Sequence, residues 1–299
     1  MALKLDDKLV IGVSSRALFN LEAENEIFEK EGLEAYCKYQ REHENDILKP
    51  GTAFPLIKAL CKLNADGRYL TEIIIMSKNS ADTSLRIFNS IEHYGLGITR
   101  AALVAGSTIS PYLSAFKTDL FLSANEEDVQ EAIDADIAAG IICGNSEIKI
   151  NSDDDISQIR IAFDGDAVIF SDESEKIYKE KGLDAFTEHE HENAKKPLPE
   201  GPFAKLLKTI SLIQQKFKSG EVPIRTSLVT ARNAPAHERV VRTLRAWDVR
   251  IDEVFFLGGI EKCDVLKAFG AHIFFDDQTI HTDSASKHVP SARVPYKKI

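Results

Sequence analysis

The apolar residues of this chain fall into short runs of two kinds. Strand-like runs lie at 9–13, 72–76, 101–104, 119–122 and 138–142. Between them, apolar positions recur at helical spacing over 21–45, 54–63, 83–93, 109–116 and 126–133. Ile27, Leu33 and Tyr36 are the expected buried positions of the first helical stretch, a turn falls at Pro50-Gly51, and Asn125 reads as a helix N-cap. Strands that alternate with helices at this spacing predict an α/β fold with a doubly wound parallel sheet.

The stretch 143–157 interrupts the pattern. It is polar, contains Gly144 and the triplet Asp153-Asp154-Asp155, and reads as a solvated linker rather than a metal site. The same order then resumes, with strands at 159–163, 224–229, 253–257 and 272–275. Helices are predicted at 173–193, 203–217, 236–247 and 261–269, with a turn at 199–202. The tail, 281–299, is rich in Ser, Lys and Pro and is expected to be loosely held.

The two halves match residue by residue. At an offset of 150, Ile11, Ala17, Gly32, Leu33 and Ala35 meet Ile161, Ala167, Gly182, Leu183 and Ala185. The tetrapeptide Glu42-His43-Glu44-Asn45 recurs as Glu190-His191-Glu192-Asn193, and near the end of each half Gly106 and Phe121 meet Gly259 and Phe274. This predicts two tandem Rossmann-like domains, 1–150 and 151–299, from an internal duplication.

Composition narrows the class. The chain has 299 residues, a hydrophobic content of 43% and a formal net charge of −10. That charge argues against a nucleic-acid polymer or an anionic membrane as partner. No apolar run reaches the length of a membrane span. Four scattered cysteines, Cys37, Cys61, Cys143 and Cys263, read as reduced thiols and suggest a cytoplasmic location.

The chemistry is expected in the second half. The strand at 159–163 runs into Asp164-Gly165-Asp166, which places two carboxylates at the carboxyl edge of a parallel sheet, where ligands bind. Such a pair can hold a hard divalent cation and still supply a nucleophile and a proton carrier. Thr230 and Ala231 follow the next strand, Lys262 opens a helix after Gly258-Gly259, and Asp276-Asp277 end another strand. In the first half, Ser14 and Arg16 stand opposite Asp164 and Asp166; Met76, Ile109 and Ser123-Ala124 stand opposite the others. One copy therefore has a full acid, lysine and hydroxyl set that the other has lost. His189 and His191 are explained by a charged helix surface, and Gly95-Leu96-Gly97 lacks the third glycine of a dinucleotide fingerprint.

Here the chain resembles a known family. DGDAV, TAR, a helix-opening Lys and FFDDQ resemble the four motifs of the haloacid-dehalogenase phosphatase superfamily. FDGDAVIFSDESE, SRALFN, FNSIEHYGLGITRAA, LFLSANEEDV and LVTARNAPAHERVVRTLRAW are similar to the cytosolic 5′-nucleotidase type I family, over nearly the whole chain.

The resemblance implies a helical cap inserted in each half, at about 173–217 in the second. It implies Asp164 as nucleophile and Asp166 as acid and base. Thr230, Ala231 and Lys262 would bind phosphate, and Mg²⁺ would sit on Asp164, Asp166, Asp276 and Asp277. Phe186 and Phe203 are candidate base contacts, and Arg232 a candidate phosphate contact.

For the first half, Ser14, Ser15, Arg16 and Lys78 suggest an anion pocket for a nucleotide effector or a reach into the active cleft, against a plain scaffold role. The expected function is Mg²⁺-dependent hydrolysis of nucleoside 5′-monophosphates. The rivals are the same chemistry on another small phosphate ester, and a nucleotide-sensing binding protein. A homo-oligomer is compatible with all three.

Overall fold

The computed structural model describes residues 5, 7–64, 67–144, 158–218 and 220–298. Most of the expected linker 143–157, with its acidic triplet, lies outside the described residues. The first half runs β1 (Leu9–Val13), α1 (Ser15–Leu18), α2 (Glu22–Glu31), α3 (Leu33–Glu42), α4 (Phe54–Lys62), β2 (Thr71–Ser77), α5 (Leu85–His93), β3 (Arg100–Leu103), α6 (Ser110–Ala115), β4 (Leu120–Ser123), α7 (Glu126–Asp134) and β5 (Ala138–Cys143). The second runs β6 (Ile159–Phe163), a tight turn Gly165–Ile169, α8 (Glu173–Glu192), α9 (Ala204–Gln214), β7 (Ile224–Thr230), α10 (His237–Ala246), β8 (Glu253–Phe256), α11 (Lys262–Phe269), β9 (Ile273–Asp276), α12 (Thr279–Ser286) and β10 (Ser291–Arg293).

All ten strands form one sheet in the order β3-β2-β1-β4-β5-β10-β9-β6-β7-β8. Read outward from the middle, each half has the same strand order. Every pairing within a half is parallel, whereas β5 and β10 meet antiparallel, with Cys143 opposite Ser291 and Ile141 opposite Arg293. The strands of the two halves therefore run in opposite directions. Their carboxyl ends lie on opposite edges of the sheet, so the first half's strand ends cannot reach into a cleft at Asp164.

Burial explains the strand sequences. β1 and β2 are buried at every position, and β1 and the run Ile73-Ile74-Ile75-Met76 are continuously apolar, as strands covered on both faces are. The outermost strands β3 and β8 are half-buried. Arg100 pairs with Glu72 at one edge, and Arg225 with Glu253 at 2.6 Å at the other: the same positions with the signs exchanged. Charge on an edge strand discourages pairing with another chain.

Strand pairing fixes which residues correspond. Val13 pairs with Ile75 and Phe163 with Leu228, so Ser77, not Met76, is the counterpart of Thr230. The backbone N–H of His43 donates to Tyr39, and that of Asn193 to His189. Gln40 is thus matched to Glu190, both buried, and the repeated tetrapeptide is two positions out of structural register.

The tail differs from expectation. Rather than hanging loosely, 281–299 contributes most of α12 and all of β10, which inserts between β5 and β9 and joins the half-sheets. Ser291, Ala292 and Val294 are fully buried there. The run is polar in composition, but its neighbours bury it.

The expected cap 173–217 also divides. Gly182, at φ +83°, breaks α8 as Gly32, at φ +86°, separates α2 from α3. Leu33 and its counterpart Leu183 stand exposed, at 64% and 62%, where Leu33 was expected buried. In contrast, α9 is a core helix: Leu206, Leu207, Ile210 and Ile213 are buried, and it packs on β1 and the 165–169 turn. Only the α8 part overhangs the site.

Gly201 shows how tightly the turn before α9 is built. A Cβ there would lie 2.3 Å from the carbonyl oxygen of Phe170, and at its counterpart Gly51 the nearest backbone atom is at 2.7 Å. Gly201→Ala is expected to cost about 1–3 kcal/mol, because the obstacle is backbone. A lowered midpoint in urea unfolding checks this, and an unchanged midpoint refutes it.

Candidate active site

β6 delivers Asp164 to the sheet edge, where its backbone N–H donates to the carbonyl of Phe275 at 2.8 Å. The chain then turns sharply through 165–169, with Ala167 in the left-handed region at φ +62°. Gly165 is packed close to Thr230: an added Cβ would lie 3.3 Å from its Oγ1. Asp164 is only 7% exposed. Lys262, first residue of α11, donates from Nζ to Asp164 Oδ1 and to Asp276 Oδ2, both at 2.6 Å.

Asp276 ends β9, and its Oδ1 accepts the backbone N–H of Gln278 at 2.9 Å. Asp277 Oδ2 accepts the hydroxyl of Tyr296, while its Oδ1 is buried without a partner.

These groups sit in strained electrostatic balance. Burial pushes the Asp164 carboxyl up to about 7 against the pull of Lys262. Burial, with Asp164 adding repulsion, raises Asp277 to about 8; Asp276 is also raised, chiefly by burial. Burial alone would lower Lys262, but Asp164 and Asp276 outweigh it and hold the ammonium charged.

Two carboxylates thus share one lysine, and Asp277 stands beside them without it. Oxygens of Asp164, Asp276 and Asp277 lie within 4.8 Å of one another. A hard divalent cation such as Mg²⁺ fits this donor set, which is all oxygen and includes an orphaned buried carboxylate atom. It would offset the burial and the added carboxylate repulsion that raise Asp164 and Asp277.

Asp166 stands apart from that group. Arg232 grips it with two donors, Nε to Oδ2 at 2.8 Å and Nη2 to Oδ1 at 2.6 Å. The third arm, Nη1, donates to Glu190 Oε2. Glu190 is fully buried and also accepts from Arg239 at 2.9 Å and from Ser174 at 2.8 Å. Burial opposes its charge, and Arg232 overrides this and keeps the carboxyl below the usual range. Arg232 also lies over the ring of Phe186, 5.3 Å from its centroid.

The remaining sequence candidates fall into place around this. Thr230 is buried beside the turn, and its hydroxyl accepts the Arg232 backbone N–H at 3.2 Å. Ala231 is exposed at the end of β7. Phe186 is half-buried at the site. Phe203 is not a base contact: it is 0% exposed and packs against Phe275 and Phe163, with centroids 4.8 and 6.1 Å away.

Ser14, Ser15, Arg16 and Lys78 gather at the opposite sheet edge, lining a cavity of about 600 Å³.

Sequence reasoning missed Glu190, Arg239, Glu175 and Tyr296. The first three lie in a charge-rich run and an amphipathic helix, where a solvated face is the ordinary reading. Tyr296 lies in the supposedly loose tail, yet its hydroxyl bonds Asp277 and Glu175, the latter at 2.8 Å. The constant register between the halves could have flagged Glu190, whose counterpart is the polar Gln40 at a buried helical position.

The family model described as 5′-nucleotidase matches residues 1–299. The human protein "Cytosolic 5'-nucleotidase 1B" is 42% identical over 296 residues, covering 95% of this chain and 48% of that protein. The chain thus spans about half the length of this relative. The chain in "Structure of Pnkp1/Rnl/Hen1 complex" is 12% identical, with 98% of this chain and 97% of that one covered, but at a TM-score of 0.30 this likeness carries no argument. With matching motifs over its whole length and this degree of identity, the chain belongs to the 5′-nucleotidase family.

Proposed function

We propose that this chain hydrolyses nucleoside 5′-monophosphates to nucleoside and phosphate in the cytoplasm, by the chemistry of the haloacid-dehalogenase phosphatases. The observation that carries the reading is Asp164, buried at the sheet edge, bonded to Lys262 and grouped with Asp276 and Asp277 in a nucleotidase-family chain.

An Asp164 oxygen attacks phosphorus as the bond from phosphorus to the ribose 5′-oxygen breaks, leaving an aspartyl-phosphate. Asp166 gives its proton to that departing oxygen. It then takes one from the water that attacks the aspartyl-phosphate, and phosphate is released. Lys262, Thr230 and the Ala231 N–H hold the transferring oxygens. Asp164, Asp276, Asp277 and the Asp166 carbonyl would hold Mg²⁺, which would supply charge neutralisation between carboxylate and phosphate dianion.

Arg232 occupies both oxygens of Asp166 in this arrangement. A phosphate dianion entering the cleft competes for the guanidinium and frees Asp166 for proton transfer. The α8 overhang, with Phe186, covers the nucleoside. The two halves descend from one duplicated unit, 1–150 and 151–299, of which the second kept the catalytic set.

Phosphate release from nucleoside monophosphates and from sugar phosphates, with and without Mg²⁺, tests the substrate class. Metal-dependent release from the nucleotides is expected. Release from sugar phosphates alone would keep the mechanism and overturn the substrate. Release from neither, with nucleotide still bound, would favour a sensor.

A further inference from the structure

The cavity in the first half lies over the carboxyl ends of β1 and β2, beneath α2 and α3. It is the structural counterpart of the catalytic cleft, and it is open for an identifiable reason. Where Arg232 spans Asp166 and Glu190, the strand register puts Asn79. Its shorter side chain accepts the Tyr36 hydroxyl at 3.0 Å, and its Nδ2 is buried without a partner.

The charge on the floor is inverted. Ser14, Arg16, Ser123 and Ala124 stand where the catalytic half has Asp164, Asp166, Asp276 and Asp277. Four carboxylates have become two hydroxyls, a guanidinium and a methyl, so the metal site is gone; the acids that remain in the lining are Glu24, paired with Arg86, and Asp128, paired with Lys78. Hydroxyls persist: Ser77 keeps the place of Thr230, with its Oγ 3.1 Å from that of Ser15.

Lys78 replaces Ala231 and pairs with Asp128 at 2.6 Å, which uses one of its three N–H donors. Glu22 engages Nε and Nη2 of Arg16, leaving Nη1 for a ligand among the described residues. Both cations are about one-third exposed.

The walls, however, are kept. Phe28 and Tyr36 meet edge to face at 5.9 Å and 81°, and their counterparts Tyr178 and Phe186 do so at 6.3 Å and 84°. A pocket that keeps its aromatic lid and exchanges acids for cations and hydroxyls suits the same kind of ligand without the metal.

We propose that the first half is a second ligand site, which binds a nucleoside monophosphate without a divalent cation and leaves it intact. The ligand class rests on the nucleotidase reading above, since it is carried over from the matching walls of the catalytic cleft. Hydrolysis does not follow binding, because Ser14 and Arg16 supply neither a carboxylate nucleophile nor a proton donor to the leaving oxygen.

Equilibrium dialysis of the full chain against radiolabelled adenosine 5′-monophosphate in EDTA tests this. About one equivalent should bind and be recovered unchanged. The double variant Arg16→Ala, Lys78→Ala should weaken that binding at least about tenfold, through loss of two charge-assisted contacts. Its Mg²⁺-dependent hydrolysis should stay within about twofold of the parent. Asn79→Arg, which fills the cavity and removes no cation, should also suppress binding.

Absence of binding in EDTA overturns the proposal. So does binding that survives both the double variant and Asn79→Arg, which would place the nucleotide in the catalytic cleft. Inorganic phosphate binding as tightly as the nucleotide would overturn the nucleoside part. If the chain hydrolyses no nucleotide yet shows this binding, the nucleotidase reading fails and the second site stands.

Discussion

Asp164→Asn is expected to lower phosphate release from a nucleoside monophosphate by about four to six orders of magnitude, the range seen when a covalent nucleophile is removed. The amide keeps the shape of the side chain but cannot attack phosphorus. It can also accept a hydrogen bond from Lys262, so the fold should hold. Removing a buried charge, and with it the repulsion that adds to the effect of burial on Asp277, should leave the variant at least as stable as the parent in the absence of metal. Steady-state kinetics beside a thermal melt read both effects. A variant that keeps more than about a tenth of the activity would remove Asp164 from the chemistry.

Arg232→Ala has the largest expected effect on stability. Arg232 is the only described side chain that bridges Asp166 and Glu190, and both it and Glu190 are cut off from water. Removing it leaves Glu190 with Arg239 and Ser174, and Asp166 with no cation. Breaking a buried pair from one side costs about 3–5 kcal/mol. In a chain of this size that corresponds to a melting temperature lower by roughly 5–15 °C. Arg232→Lys should fall between, since one ammonium cannot bridge both carboxylates with the fork that a guanidinium offers. A melt unchanged in Arg232→Ala would show that the network contributes nothing to the fold.

Much of this architecture was legible in the residue pattern. β1 is apolar throughout because both its faces are covered, and the run Leu9–Val13 announces that directly. Asp164, Lys262 and the Asp276-Asp277 pair were legible because each follows a strand or opens a helix, and because the other half lacks them.

The failures have physical causes of their own. Periodicity gives the type of an element but not its exact pairing, so the counterpart of Thr230 was displaced by one residue from Ser77 to Met76. That slip hid a retained hydroxyl in the first half. The strand at Ser291–Arg293 is short and polar, and is buried only by the two half-sheets it joins. The ion pairs of Arg232 link residues 42 and 66 positions away, which no local pattern records. Phe203 at helical spacing suits a core position more readily than a platform, and the sheet beneath it makes it core.

The most direct measurement is an acid quench during turnover of a nucleoside monophosphate labelled in its phosphate, followed by peptide mapping. Label is expected on the peptide that contains Asp164, and none in Asp164→Asn. Full turnover in the parent with no label on any peptide, or label on a peptide from the first half, would contradict an aspartyl-phosphate at Asp164.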